Sequence, residues 1–195
     1  MKNLKFILFV IPFLFYSCSS KIYPEDYEPI RVFLKTQKDI DKNRMYILKY
    51  KESNTQTLRI FNRGEGEKHI IFPNQIDFTS KIFNELHWKK LYAQYSNEKT
   101  EKYWREEDFR DFKILDRKRN QLFDEYHLFH LPKLENVIIL SEPIWYYNKR
   151  YILFYFSIDN MYNSSKPSLV VIMKKVKKKW IVVQEIGDYA CSGCY

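Results

Sequence analysis

Residues 137–140 read VIIL, 151–157 read YILFYFS, 169–173 read LVVIM and 180–184 read WIVVQ. Each run is apolar, rich in β-branched and aromatic side chains, and bounded by turn-forming residues, the pattern of buried strands. Ser141-Glu142-Pro143 and Asn148 bracket the first connection, residues 160–167 form the second, and Lys177, Lys178 and Lys179 form the third. Connections this short suit antiparallel neighbours, because a parallel return needs a long crossover. The expected fold class is therefore α+β: an antiparallel sheet with a C-terminal four-stranded meander and one or two helices packed on one face.

Working towards the N-terminus, the pattern is weaker. Residues 45–50 (MYILKY) and 57–62 (TLRIFN) read as two strands around a polar turn at 52–56, and residues 69–72 as a candidate third. Residues 79–95 read as a helix capped by Asp77 or Thr79, with Phe78, Ile82 and Leu86 on one face and Trp88 and Tyr92 off that stripe. Trp104 and Phe109 stand out as apolar anchors in the charged stretch 96–111. Residues 116–130 suit a second helix, ended before Pro132. The fold is expected to begin at Ile30, and 30–195 to form one domain.

The chain opens MKNLKFILFVIPFLFYSCSS. Lys2 and Lys5 precede an uncharged run from Phe6 to Tyr16 that is about half the ~20 apolar residues needed to span a bilayer. It reads as the core of an export signal. Leu14, Ser17 and Cys18 resemble the bacterial lipoprotein signal. That resemblance implies cleavage after residue 17, acyl chains on Cys18, and a tether over 18–29. Each buried methylene contributes about 0.8 kcal/mol, and two or more chains attach stably. Residues 19–23 (SSKIY) lack the acidic cluster that accompanies surface display in similar lipoproteins, so the periplasmic face of an outer membrane is expected. A second resemblance lies in Ser141, Pro143, Ile144, the aromatic run 151–154, Lys174 and the run 180–183, together with Trp104, Asp108 and Phe109. Over roughly residues 100–190 the chain is similar to uncharacterised flavobacterial-type lipoproteins, a group that implies no activity.

The formal net charge is +9, two of which belong to Lys2 and Lys5. A basic balance admits anionic partners, but two Ala, four Gly and abundant Lys, Asn, Ile, Tyr and Phe fit the composition encoded by AT-rich genomes. Export argues against nucleic acid. The expected partners are the membrane, through the anchor, and an envelope protein or glycan.

Several clusters could carry chemistry. Cys191 and Cys194 form a C-x-x-C pair, an even number once Cys18 is acylated, and an exported chain favours a disulfide there. So short a loop limits its entropic contribution to roughly 2 kcal/mol. Only Tyr195 follows, so no helix N-terminus can activate the thiols as in redox enzymes. His127 and His130 could join this pair in a tetrahedral zinc set, though histidines among aromatics more often pack or face water. No metal and no cofactor is expected. Lys174, Lys175, Lys177, Lys178 and Lys179 crowd one hairpin tip. They could touch anionic lipid, at about 1 kcal/mol per Lys, or form a solvated turn that discourages edge pairing. Trp145-Tyr146-Tyr147 could stack on sugar rings or pack the sheet. Glu106, Glu107, Asp108 and Asp111 read as solvent-facing, since an acid/base pair needs one shielded carboxyl. There is no G-x-S-x-G, H-E-x-x-H, P-loop or G-x-G-x-x-G. The expected role is a non-catalytic binding module of the envelope. The rivals are a hydrolase with an unfamiliar site and a protective, immunity-type lipoprotein directed against a secreted toxin.

Overall fold

Residues 151–159 form β5 (Tyr151–Asp159), and six consecutive side chains along it are buried. A strand reads this way when both faces of its sheet are covered. The computed structural model describes residues 23–62, 80–98, 100–120, 136–159 and 168–188. In chain order these form α1 (Glu28–Thr36), β1 (Met45–Leu48), α2 (Asn54–Phe61), α3 (Glu85–Tyr95), a 3-10 turn (Glu106–Phe109), β2 (Lys113–Leu115), β3 (Asn136–Leu140), β4 (Ile144–Tyr146), β5, β6 (Leu169–Val176) and β7 (Lys179–Gly187). The seven strands make one open sheet in the order β2-β1-β3-β5-β6-β7, with β4 also paired to β5.

The four C-terminal runs pair antiparallel as expected, with β4 inserted where Ile144 lies opposite Leu153. The class is α+β with a mostly antiparallel sheet. The mixed part comes from β1, which lies parallel to both β2 and β3. Helices cover both faces rather than one. Alternate residues of β3 show why: Val137 and Ile139 join Leu58, Phe61, Leu91 and Tyr95 from α2 and α3, while Ile138 and Leu140 join Ile30, Phe33 and Leu34 from α1. Phe33 sits edge-on to Phe154 at 5.5 Å and Phe156 at 5.0 Å.

Two local expectations are corrected. Residues 57–61 belong to α2 and Asn62 follows as its C-cap, so the passage is not a strand. Ser53 caps α2, its Oγ accepting the Thr55 N–H at 3.2 Å, and the buried positions Thr57, Leu58, Ile60 and Phe61 recur with helical rather than two-residue spacing. The supposed polar turn at 52–56 is the cap and first turn of that helix. Helix α3 starts at Glu85, six residues later than expected, where the Asn84 side chain accepts the His87 N–H at 3.1 Å. Leu86, assigned to its inner stripe, is 72% exposed, and the inner face is carried by Leu91 and Tyr95 with Trp88 beside them. Phe78, residues 69–72 and most of 116–130 lie outside the described residues. Trp104 and Phe109 are both buried, as expected. The fold begins before Ile30: Tyr23 packs on Tyr95 at 5.3 Å and Tyr27 on Trp104 at 4.8 Å.

Candidate functional site

The parallel strands β1 and β3 end side by side, and the residues just past them form a buried polar cluster. Lys51 follows β1 and Glu142 follows β3. Their side chains are 6% and 8% exposed, and the ammonium and carboxylate meet at 2.5 Å. The same ammonium donates to Tyr27 Oη at 2.9 Å, and Tyr27 donates to Glu142 Oε1 at 3.0 Å. The Trp104 ring lies 4.0 Å from Lys51 Nζ, adding a cation–π contact. Burial holds the Lys51 ammonium below its ordinary pKa against the opposing pull of Glu142. Burial, reinforced by Glu142, raises the Tyr27 phenol.

Neighbouring charges are paired in the same way. Arg119 bridges Glu52 and Asp159, each at 3.1 Å, and reaches Tyr155 Oη at 3.3 Å. Arg59 forks onto Asp188. Glu98 accepts from Tyr23 and Asn54 and pairs with Lys102. A hollow of about 160 Å³ lined by Lys51, Glu52, Glu98, Glu101 and Lys102 adjoins these groups. Glu101 there is bound by Lys118 at 2.7 Å. These contacts tie together segments far apart in sequence and engage the ionisable groups around the hollow.

A larger cleft, about 540 Å³, opens at the end of the sheet where the β4–β5 and β6–β7 turns emerge. Trp145 of β4 and Trp180 of β7 face each other there with ring centroids 6.3 Å apart. Lys149 and Arg150 come from the first turn, Lys174 and Lys175 from the end of β6. The entering chain, Tyr23 to Asp26, and Glu28 and Pro29 of α1 complete the lining. Glu28 holds the arrangement together: its Oε2 accepts the Trp180 indole N–H at 3.0 Å and lies 3.4 Å from Lys175 Nζ. Asp26 lies 3.6 Å from Arg31.

Both turns are unusual. Tyr147, Asn148 and Lys149 have φ of 51°, 54° and 61°, and Lys177 and Lys178 have 47° and 67°. Two successive left-handed residues are the conformation of a type I′ hairpin, normally supplied by Asn-Gly. For a residue with a Cβ each such position costs roughly 1 kcal/mol or more. The result is a projecting tip: Lys175, Val176, Lys177, Lys178 and Lys179 are all exposed, as are Lys149 and Arg150.

No protein-family model, curated protein or solved structure matches this chain.

The residues singled out in the sequence fall into four groups. The five hairpin lysines lie together at one tip, as expected. Trp145-Tyr146-Tyr147 divides: Tyr146 is buried, accepting the Asn84 N–H at 2.9 Å and donating to the Ile82 carbonyl at 3.1 Å, while Trp145 lines the cleft. Among the carboxylates, Asp108 is buried and accepts the Arg105 N–H at 2.9 Å, which closes the 3-10 turn. Asp111 meets Lys42 at 2.9 Å, and that contact draws its pKa below the ordinary value. Glu106 and Glu107 are exposed. Cys18, His127, His130, Cys191 and Cys194 lie outside the described residues. Among those described, no group of three His, Cys, Asp or Glu could hold a metal, and no helix is long and apolar enough to cross a membrane. Lys51–Glu142 and the pairing of Trp180 with Trp145 escaped notice because each joins segments far apart in the chain. Locally, Glu142 reads only as part of the Ser141-Glu142-Pro143 connection.

Proposed function

We propose that this protein is a lipid-anchored component of the cell envelope, attached through Cys18, whose folded domain binds a partner at the bilayer rather than transforming one. The observation that carries the reading is the cleft between Trp145 and Trp180, which opens beside Tyr23, five residues after Cys18. A fully extended chain of that length spans at most about 18 Å, so a lipid on Cys18 would keep the cleft close to the membrane. Mixed aromatic and charged lining suits recognition. The feature that would favour catalysis is Lys51, with its lowered pKa. Its ammonium, however, is already engaged by Glu142, Tyr27 and the Trp104 ring.

The partner classes that fit an envelope location are an envelope protein, a glycan or the lipid surface itself, and the periplasmic face of an outer membrane is the favoured site. Intact mass of the membrane-extracted protein, with palmitate labelling in cells, tests the anchor. The expected result is a mass matching a chain that begins at Cys18 and carries two or three acyl groups. A Cys18→Ala protein that still fractionates with membranes after a high-salt wash, as the native one does, would overturn the reading.

A further inference from the structure

We infer that the cation-rich end of the sheet rests on the anionic phosphates of the same bilayer that holds Cys18, with Trp145 and Trp180 at headgroup depth. The inference rests on the lipid-anchored reading and adds an orientation to it.

Three observations converge. The first is placement. The β4–β5 and β6–β7 turns emerge at one end of the sheet, because Ile152 lies opposite Met173 and Tyr151 opposite Tyr146. The entering chain lines the cleft between them, so the segment that leads to Cys18 leaves the domain at that same end.

The second is charge. Among the described residues lining the cleft, Lys149, Arg150, Lys174 and Lys175 meet the carboxylates of Glu25, Asp26 and Glu28, and Lys177, Lys178 and Lys179 stand exposed at the adjoining tip. Glu28 already serves Lys175 and Trp180, and Asp26 serves Arg31. A surface excess of cations within a Debye length of anionic headgroups is attracted to them.

The third is the apolar component. Val176 and Ile181 flank the lysine tip and are 39% and 46% exposed. Exposed aliphatic side chains among lysines match a bilayer interface, where the one group enters the acyl boundary and the other meets phosphate. Free phosphate offers nothing to Val176 or Ile181. Half-buried indoles are at home at that depth too. The left-handed backbone at Lys177 and Lys178 agrees with this: the turn keeps cations where Asn and Gly would fit with less strain.

The test uses the full native protein, extracted from membranes and reconstituted by detergent removal. One set of vesicles is phosphatidylcholine; the other adds phosphatidylglycerol at roughly one part in four. Flotation with the neutral vesicles reads the anchor. A membrane-impermeant amine reagent followed by peptide mass analysis reads the orientation. In anionic vesicles Lys149, Lys174, Lys177 and Lys178 should label about threefold or more slowly than in neutral ones, and high salt should abolish the difference. Lys113, exposed at the opposite end of the sheet, should label equally in both. Flotation with equal labelling of the tip lysines in the two vesicles overturns the inference and leaves the anchor standing. Failure to float with neutral vesicles overturns the anchored reading, and the inference with it.

Discussion

At the scale of single residues, burial separates side chains that look alike in the sequence. Lys51 and Lys177 are both lysines in polar passages, yet one is sealed against Glu142 and the other projects from a turn. Removing one member of a buried ion pair strands the other charge, which commonly costs about 3–5 kcal/mol. Lys51→Met should therefore lower the urea-denaturation free energy by that order, while Lys51→Met combined with Glu142→Leu should recover most of the loss. A single mutant as stable as the native protein would show that Glu142 finds water. The opposite sign is expected at the hairpin tip. Replacing Lys177 by Asn and Lys178 by Gly relieves two left-handed positions and should stabilise the domain by about 1 kcal/mol or slightly more. A thermal scan of the double variant measures this.

At the scale of elements, the entry segment is fastened by a small titrating clasp. Tyr23 donates to Glu98 at 2.7 Å, Lys102 pairs with the same carboxylate, and its ammonium lies 3.5 Å from the Tyr23 ring. Burial pushes Glu98 up, but the hydrogen bonds from Lys102, Tyr23 and Asn54 outweigh it and leave its pKa below the ordinary 4.5. A depressed carboxylate contributes stability that is complete above its unfolded-state pKa and is lost as pH falls through the folded value. The clasp should therefore hold at neutral pH and loosen as pH drops below about 4.5. Amide hydrogen exchange at the start of α1 should accelerate across that window, beyond what the exchange chemistry itself predicts. Glu98→Gln should remove the pH dependence. Helix α2 teaches a different lesson at this scale. Leu58 and Ile60 alternate like a strand, but the Ser53 cap and the adjacent pairs Thr57–Leu58 and Ile60–Phe61 suit a helix packed on β5 and β6.

At the scale of the whole molecule, the sheet joins two halves of the chain. The meander β3-β5-β6-β7 comes from the C-terminal third, but its covering helices and its neighbour β1 come from the first half. A fragment spanning 136–188 would expose both faces of β5 and the free edge of β3, a template for aggregation. It should show no cooperative urea transition and should self-associate on a sizing column, whereas the full protein should unfold cooperatively. At the outer edge, β7 carries a bulge between Ile172 and Met173 of its partner and a tip rich in lysine, features that limit edge-to-edge pairing.

What the sequence by itself determined was the meander. Strands 137–140, 151–157, 169–173 and 180–184 are continuous apolar runs with short connections, so burial and pairing were both written locally. It also placed Trp104 and Phe109 in the core, since large aromatics in a charged stretch have few other places to go. Tertiary structure alone decided the remainder: the helical state of 57–61, the parallel insertion of β1, the covering of both faces, the Lys51–Glu142 pair and the meeting of Trp145 with Trp180. Each depends on which distant segment supplies the neighbour, and the desolvation that seals a charge or orients an indole exists only once that neighbour has arrived.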